Sequence, residues 1–256
     1  MSRETFNEVP LLYHEVRPNY PDELFTVLVE ITGLTTDSTL LEIGPGTGQA
    51  TTPLAEKGFK ITAIELGASL AEFARYQLRD FQNVQILHGA FEETILSPKS
   101  FDLVYAATAF HWIDPSVKYS KTHEILKDKG HLAIIHTNHV SDQVGDKFFN
   151  EAQPIYDRHN FVDKNQTPKL PDIGEISASE IDERLFKTIH FQIFPIAITY
   201  TAKNFAKLLN TFSNHLSGEK DVQLSFYHDI ENLITAEFGG FITRHFGMSL
   251  TIAEKI

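Results

Sequence analysis

Residues 39–55, TLLEIGPGTGQATTPLA, decide the fold, because they join a strand to a helix through a loop rich in glycine. The apolar residues at 40, 41 and 43 are typical of a short strand buried in a parallel sheet. A helical pattern begins near Gln49, after glycines at positions 44, 46 and 48. Glycine lets the backbone approach a ligand closely, and the start of a helix offers unpaired N–H groups. The stretch therefore predicts a loop that binds a cofactor.

The spacing of these glycines separates two classes of cofactor. The dinucleotide fingerprint G-x-G-x-x-G would place its third glycine at position 49, where the chain has Gln49. The third glycine is instead Gly48, and Glu42 lies two residues before the first one. An acid beside the loop favours a cationic ligand and repels a pyrophosphate. The spacing therefore argues against a nicotinamide dinucleotide.

The pattern E-x-G-x-G-x-G, which begins at Glu42, resembles the first motif of the class I S-adenosylmethionine-dependent methyltransferases. The resemblance implies S-adenosylmethionine as the cofactor. It also implies that the loop contacts this cofactor through Glu42, Gly44, Gly46 and Gly48.

The segment YHEVRPNYPDEL, at residues 13–24, resembles the opening of one subgroup of this family. That subgroup is the methyltransferase type 11, or trans-aconitate methyltransferase-like, group, in which the opening segment folds over the cofactor. The resemblance implies that Tyr13 and Arg17 contact the methionine end of the cofactor, with Arg17 paired to its carboxylate. The alternative is that Tyr13 packs in the protein and Arg17 makes a surface ion pair.

Glu65 ends the second predicted strand, FKITAIEL, beyond the glycine loop. An acid at this place binds the two vicinal hydroxyl groups of a ribose. Glu65, with Leu66 next to it, therefore predicts an adenosine-type ligand without deciding between cofactors. The alternative is an acid exposed at the end of a strand.

The loop after the third predicted strand departs from the family pattern. Where the family carries an Asp that holds the adenine amino group, this chain has Ala90, followed by Phe91. Phe91 can wall or stack on the base, and backbone groups can read the edge of the base. The alternative for Phe91 is an aromatic side chain in the core.

The fourth predicted strand, in FDLVYAATAFHWID, leads into a loop that starts at Ala107. Parallel strands share a carboxyl edge, so this loop should emerge beside the glycine loop. The resemblance implies that His111 and Trp112 lie at the methyl-bearing end of the cofactor, and Ala107 is a further candidate cofactor contact. His111 is a candidate general base because its ordinary pKa lies near neutrality, and the alternative is a structural histidine. The loop is not the Asn/Asp-Pro-Pro-Tyr/Phe motif, which argues against methylation of DNA amino groups.

Composition excludes several functions. The chain of 256 residues has a formal net charge of −12, which argues against a general nucleic-acid binder. It has no cysteine, which excludes disulfides, thiolate metal sites and cysteine nucleophiles. We expect no bound metal. The first residues lack a signal-peptide core, and no apolar run approaches the length of a membrane span, so we expect a cytoplasmic protein that does not bind membranes.

The pattern of the whole chain predicts one α/β domain over residues 1–256. We expect a Rossmann-like, doubly wound, seven-stranded and mostly parallel sheet, with the last strand antiparallel and a helical lid. Residues 1–33 would form an N-terminal lid segment, 34–138 the cofactor-binding core, 139–185 an inserted lid, and 186–256 the C-terminal strands and helices. Candidate substrate residues in the lid are Phe148, Phe149, Tyr156, Arg158 and His159, each with ordinary packing as the alternative.

Two local expectations concern helix ends. Asp22 could cap the helix that follows it, whose inward face would include Ile31. A helix over residues 116–127 should be closed by Gly130 before the fifth strand, HLAIIHT.

The predicted function is methyl transfer from S-adenosylmethionine to a small molecule. The resemblance implies that carboxylic acids are the first candidate acceptors. The alternatives are a non-catalytic nucleotide-binding protein and an NAD(P)-dependent oxidoreductase. The accepting atom, the need for a general base and the oligomeric state stay open.

Overall fold

The computed structural model describes residues 10–161, 169–212 and 219–256. Parts of the predicted N-terminal and inserted lids, residues 1–9 and 162–168, lie outside this range. The described helices are Pro10–Val16 (α1), Asp22–Thr32 (α2), Thr51–Glu56 (α3), Ala68–Gln77 (α4), Lys118–Ile125 (α5), Lys147–Arg158 (α6), Ala202–Leu209 (α7) and Lys220–Glu237 (α8). The strands are Thr39–Ile43 (β1), Lys60–Glu65 (β2), Val84–His88 (β3), Phe101–Ala107 (β4), Leu126–Val140 (β5), Phe186–Thr201 (β6) and Phe241–Lys255 (β7).

The strands form one seven-stranded sheet in the order β3-β2-β1-β4-β5-β7-β6. The strands from β3 across to β5 pair in parallel, and the last strands run antiparallel. The predicted Rossmann-like fold is therefore confirmed. Ile43 of β1 pairs with Ile64 of β2, so these two strands end at one level. The loops that follow them emerge at the same edge of the sheet, where α/β folds bind their ligands.

Helix α2 illustrates how local sequence sets the boundary of an element. Gly33 ends it with φ of 62°, and its N–H group donates to the carbonyl oxygen of Glu30. The expected cap at Asp22 is wrong, because Pro21 is the cap and Asp22 is already helical. Ile31 is 41% exposed, since the buried face of the helix is complete with Leu24, Phe25 and Leu28.

The expected end of the fifth helix is also wrong. Helix α5 stops at Ile125, and β5 begins at Leu126, which pairs with Phe101 of β4. Gly130 lies inside β5, where the register between β4 and β5 shifts. A Cβ atom on Gly130 would lie 2.9 Å from the carbonyl oxygen of Lys127. Pairing across the sheet therefore outweighs the local helical pattern, and glycine serves a close backbone approach rather than a helix cap.

The chain forms two compact units. One contains residues 1–18, 138–176 and 195–247, and the other contains residues 19–137, 177–194 and 248–256. The second unit holds β1 to β4 and every predicted cofactor residue except Tyr13 and Arg17, which belong to the first. The division into a single domain with two lids stays a prediction. Within the described ranges, every helix is too short or too polar to span a lipid bilayer.

Strand β6 is the last strand at one edge of the sheet and contains Pro195, as expected for a proline that cannot donate to a ladder. Thr201 follows at its end and caps α7, because its Oγ1 accepts a hydrogen bond of 3.1 Å from the N–H group of Asn204.

Candidate active site

Glu42 is fully buried at the end of β1 and connects two neighbouring elements. Its Oε2 accepts hydrogen bonds from Thr51 Oγ1 at 2.6 Å and from the hydroxyl group of Tyr105 at 2.8 Å. Its Oε1 is buried without a partner among the described residues. Burial raises the pKa of Glu42 to about 7, and the charge of nearby Glu65 adds to the rise. The carboxyl group of Glu42 therefore links α3 to β4 through two hydrogen bonds. Its second oxygen, Oε1, makes no hydrogen bond with a described residue.

The three loop glycines have different surroundings. All adopt left-handed backbone conformations, with φ of 68° at Gly44, 58° at Gly46 and 89° at Gly48. A Cβ on Gly44 would lie 2.7 Å from that of Ala109, and a Cβ on Gly48 would lie 3.1 Å from Leu78. A Cβ on Gly46 would meet no protein atom within 4 Å. Packing against Ala109 thus excludes a side chain at Gly44, a side chain at Gly48 would press on Leu78, and the space above Gly46 is open.

Glu65 lies at the end of β2 with only 6% of its surface exposed. Its Oε2 accepts a hydrogen bond of 2.9 Å from the N–H group of Gly46, and its Oε1 accepts one of 2.8 Å from the N–H group of Gly67. Burial raises the pKa of Glu65, while these backbone donors oppose the rise. Each carboxylate oxygen keeps a further lone pair that could accept a hydrogen bond from a ribose hydroxyl group. Binding of a ribose by Glu65 and by the neighbouring, partly exposed Leu66 stays a prediction.

The loop after β3 places Phe91 in the core. This side chain is 3% exposed and packs in a cluster with Ile43 and Ile64, while the ammonium group of Lys121 lies 5.2 Å from its ring centroid. The carbonyl oxygen of Ala90 accepts hydrogen bonds within its own turn, including one of 2.8 Å from Thr94 Oγ1. Both observations agree with the packing alternative, and a contact of Ala90 or Phe91 with the base stays a prediction.

The loop after β4 begins at Ala107 and brings two histidines together. The ring of His111 lies 5.0 Å from that of Trp112 and 5.8 Å from that of His136, which lies on β5. Burial lowers the pKa of His111, and the charges of His136 and Lys118 lower it further. His111 is therefore neutral near pH 7, which is the form that a general base requires.

Sequence reasoning missed several residues around these loops. The hydroxyl groups of Tyr20 and Thr108 lie 3.2 Å apart, and Gln49 Nε2 donates to Asn19 Oδ1 at 3.0 Å. Asn19 and Tyr20 lie within the opening segment quoted above, so their position was a usable signal. His136 carried no such signal, because only the register of β4 with β5 places it beside His111.

Tyr13 and Arg17 lie in the other unit. Arg17 donates from Nε to Thr211 Oγ1 at 2.8 Å and from Nη2 to the carbonyl oxygen of Thr211 at 2.6 Å. Its guanidinium carbon lies 4.8 Å from the ring centroid of Tyr13 and 4.4 Å from that of Phe212. The contact of Tyr13 and Arg17 with the methionine end of the cofactor stays a prediction.

The candidate substrate residues of the inserted lid lie on or just after α6. Arg158 Nη1 and His159 Nε2 approach the same oxygen of Asp229, at 3.1 and 2.9 Å. Phe148 is 9% exposed, Phe149 is partly exposed, and the ring of Tyr156 packs 4.9 Å from that of Phe226. A substrate contact stays a prediction for each of them.

Comparison with known proteins finds a family that resembles the part of the chain around the glycine loop. A family model described as a methyltransferase domain matches residues 41–134, which contain the glycine loop, Glu65 and the loop after β4. Residues 41–134 are therefore similar to a methyltransferase domain, and this similarity supports a class I S-adenosylmethionine-dependent methyltransferase. The predicted cofactor is the methyl donor of this family, and placement in the trans-aconitate methyltransferase-like subgroup stays a prediction.

Related methyltransferases extend the similarity beyond this domain. An uncharacterized methyltransferase of Mycobacterium tuberculosis is 28% identical over 57% of this chain, and this chain spans 59% of its length. An uncharacterized methyltransferase of a Geobacillus species is 29% identical over 75% of this chain and 83% of its own length.

Solved structures show that the fold is shared more widely than the reaction. A putative type II methyltransferase from Anaeromyxobacter dehalogenans superposes with a TM-score of 0.61 at 22% identity, covering 93% of this chain and 96% of that one. The [4+2]-cyclase SpnF superposes with a TM-score of 0.56 at 15% identity, covering 98% of this chain and 94% of that one. The fold alone therefore does not decide the chemistry.

The residues of the methyltransferase domain fit S-adenosylmethionine on structural grounds. Two carboxyl groups, of Glu42 and Glu65, lie beside the glycine loop and suit a positively charged ligand. The unpartnered Oε1 of Glu42 can accept a further hydrogen bond. The open space above Gly46 leaves room for the ligand itself.

Proposed function

We propose that the protein transfers the methyl group of S-adenosylmethionine to a small molecule, with carboxylic acids as the first acceptors to test. One observation carries the choice of cofactor. The N–H group of Gly46, which a dinucleotide fold would offer to a pyrophosphate, donates to the carboxylate of Glu65. A second acid, Glu42, lies nearby, and with a pKa of about 7 it is partly ionised at neutral pH. Such a loop suits a cationic sulfonium compound and disfavours a phosphate.

The chemistry requires positioning more than covalent catalysis. S-adenosylmethionine supplies an electrophilic methyl group when bound. Glu65 would hold the ribose hydroxyls, and the loop at Gly46 would form the floor under the ligand. Holding an acceptor in line with the methyl group can lower the barrier by about 7–11 kcal/mol. A binding site of suitable shape and charge near β1 and β2 therefore matters more for this reaction than a nucleophilic side chain of the protein.

His111 has one of two roles, depending on the acceptor. If the accepting group is a weak acid, the neutral imidazole of His111 would take up the proton that the acceptor loses. If the acceptor is already a carboxylate, no base is required, and His111 would position the acceptor beside Trp112. The pKa of His111 is low enough for either role at neutral pH.

A second candidate function is nucleotide binding without methyl transfer. It is favoured by Ala90, which replaces the acid expected to hold the adenine, and by the cyclase that shares the fold. The oxidoreductase alternative is disfavoured by the position of Gly48 and by the bond between Gly46 and Glu65.

Isothermal titration calorimetry with S-adenosylmethionine, S-adenosylhomocysteine and NAD⁺ tests the choice of cofactor. We expect the first two compounds to bind and NAD⁺ not to bind. Binding of NAD⁺ alone would overturn the proposal in favour of an oxidoreductase.

Incubation with S-adenosylmethionine labelled in its methyl group tests the reaction. Metabolite fractions would be offered as acceptors, starting with small carboxylic acids, and the label followed into the products. Label in a small molecule is the expected result. Tight cofactor binding with no transfer to any fraction would favour the second candidate function.

A further inference from the structure

Arg244 on β7 is a buried arginine, with 8% of its surface exposed. Its Nε atom is buried and finds no hydrogen-bond acceptor in the part of the chain that the structure describes. Among the described residues, no hydrogen bond or ion pair joins its guanidinium group to a carboxylate. Burial of a cation that makes no hydrogen bond or ion pair costs free energy, and burial accordingly lowers the pKa of Arg244. A group of this kind is expected where a ligand supplies the missing partner.

The surroundings of Arg244 within its own unit are mainly aromatic. Its guanidinium carbon lies 5.7 Å from the ring centroid of Phe148, which packs in turn on Phe205 at 5.2 Å. Burial raises the pKa of the Tyr156 and Tyr200 hydroxyl groups, and the charge of Arg244 opposes the rise at both. Both hydroxyl groups therefore lie within the field of this guanidinium, in surroundings suited to the apolar part of a ligand.

Two further basic groups act on the same region. Burial lowers the pKa of His139 to about 3, and the charges of Arg244 and Arg17 contribute to the fall. The ring of His139 packs 4.7 Å from that of Phe246 and 5.6 Å from that of Phe212. His139 is therefore neutral, and the positive potential here comes from the two arginines. Arg17 is held by Thr211, whereas Arg244 is not held by any described acceptor.

Two acidic side chains near Arg244 limit how much negative charge a ligand bound there could carry. Asp142 and Asp146 are near enough to raise the pKa of Arg244, against the larger effect of burial. Their carboxylates are engaged in their own turn, where Asp146 Oδ1 accepts from the N–H group of Asp142 at 2.8 Å and Asp142 Oδ1 accepts from that of Asp146 at 2.9 Å. Because their negative charge lies near the guanidinium, a ligand with one negative charge fits better than a doubly charged phosphate.

We propose that Arg244 is the anion-binding residue of a small-molecule site in this unit, and that the site takes a monocarboxylate with an apolar body. The planar guanidinium group matches a carboxylate with two parallel hydrogen bonds. The rings of Phe148 and Tyr156 would pack against the apolar part. The site is tested by binding alone, without reference to methyl transfer.

Calorimetry with a homologous series of monocarboxylates, from acetate to decanoate, and with benzoate tests the site. The unmodified protein should bind the longer or aromatic members more tightly than acetate. Arg244→Gln should weaken this binding by roughly tenfold or more, since a bidentate ionic hydrogen bond is lost. The matched control is Arg184→Gln, which removes an exposed arginine paired with Asp182 and should leave the affinity unchanged. Absence of binding across the series, or equal binding by Arg244→Gln, overturns the proposal.

Phenyl phosphate and inorganic phosphate form the second arm. Benzoate should bind more tightly than phenyl phosphate, and inorganic phosphate should not compete with it. Tighter binding of phenyl phosphate would overturn the assignment to monocarboxylates.

Thermal unfolding separates a ligand-binding role from a structural one. Arg244→Met keeps a side chain of similar length without the charge, so its melting temperature should equal or exceed that of the unmodified protein. A fall of more than about 4 °C would show that the folded state depends on Arg244, and it would overturn the binding role. Circular dichroism of the variant at low temperature checks that it is folded.

Discussion

Two glycines have the same backbone conformation and the same empty surroundings, but only one lies in the cofactor loop. Gly46 has φ of 58° and Gly33, at the end of α2, has φ of 62°. In neither case would an added Cβ meet a protein atom within 4 Å. An alanine at either position would therefore have the same backbone strain, because both positions are left-handed. The two positions differ in whether a ligand is expected above them.

Gly46→Ala and Gly33→Ala should each lower the free energy of unfolding by about 1–2 kcal/mol, as a left-handed alanine requires. Only Gly46→Ala should also weaken the binding of S-adenosylmethionine, by roughly tenfold, because its methyl group occupies the open space of the loop. Urea unfolding measures the first effect, and calorimetry the second. Equal cofactor affinity in the two variants would mean that the ligand does not approach Gly46.

Glu42 should make the stability of the protein depend on pH. Its pKa is about 7 in the folded protein and 4.5 in an unfolded reference, so the folded state binds more protons between these values. The free energy of unfolding should therefore fall as the pH rises from 4.5 to 7, by an amount on the order of 3 kcal/mol.

The variant Glu42→Gln keeps the shape of the side chain without the titration. Urea unfolding of both proteins at about pH 5 and pH 8 should show a larger fall for the unmodified protein than for the variant. Equal falls would indicate that Glu42 is ionised in the folded protein throughout this range.

Among the elements, α7 offers a direct test of local capping. Thr201→Ala removes the oxygen that accepts from the N–H group of Asn204, and it should lower the free energy of unfolding by about 1 kcal/mol. Thr201→Ser keeps the oxygen and should be nearly neutral. Denaturant unfolding of both variants measures the difference, and an equal loss in the two would assign the effect to the methyl group of threonine.

The end of α5 shows where element prediction from local pattern fails. Residues 126–130 have the composition of a helix terminus, yet they lie in β5, where Leu126 pairs with Phe101 of β4. The hydrogen bonds of a sheet join residues far apart in sequence, and a local pattern does not contain them. The error at this helix end therefore comes from a neighbouring strand that sets where the element stops.

At the scale of the whole molecule, the order of the elements could be predicted because β1, β2 and β4 are each followed by a helix, and β3 is followed by turn residues. Glycines at the exit of β1 and Glu65 at the exit of β2 have fixed places in this order, so their meeting at one edge follows from topology. The hydrogen bond between Glu65 and Gly46 did not follow, since it depends on the path of the loop.

The rest of the candidate site depends on packing between distant residues. The reason for glycine at position 44 is Ala109, and the neighbour of His111 is His136. Neither contact can be predicted from the spacing of residues in a single sequence. The same holds for Arg244, because only the placement of its described neighbours shows that its Nε atom has no hydrogen-bond acceptor among them.

The proline in β6 has a consequence for how the molecule behaves in a crowded solution. A terminal strand of a sheet presents unpaired backbone groups, and a long one invites another chain to extend the sheet. Pro195 has no N–H group and interrupts this row part-way along the strand Phe186–Thr201. A second chain would find two short templates instead of one long template. The proline therefore acts against intermolecular aggregation through the longest free edge of the sheet.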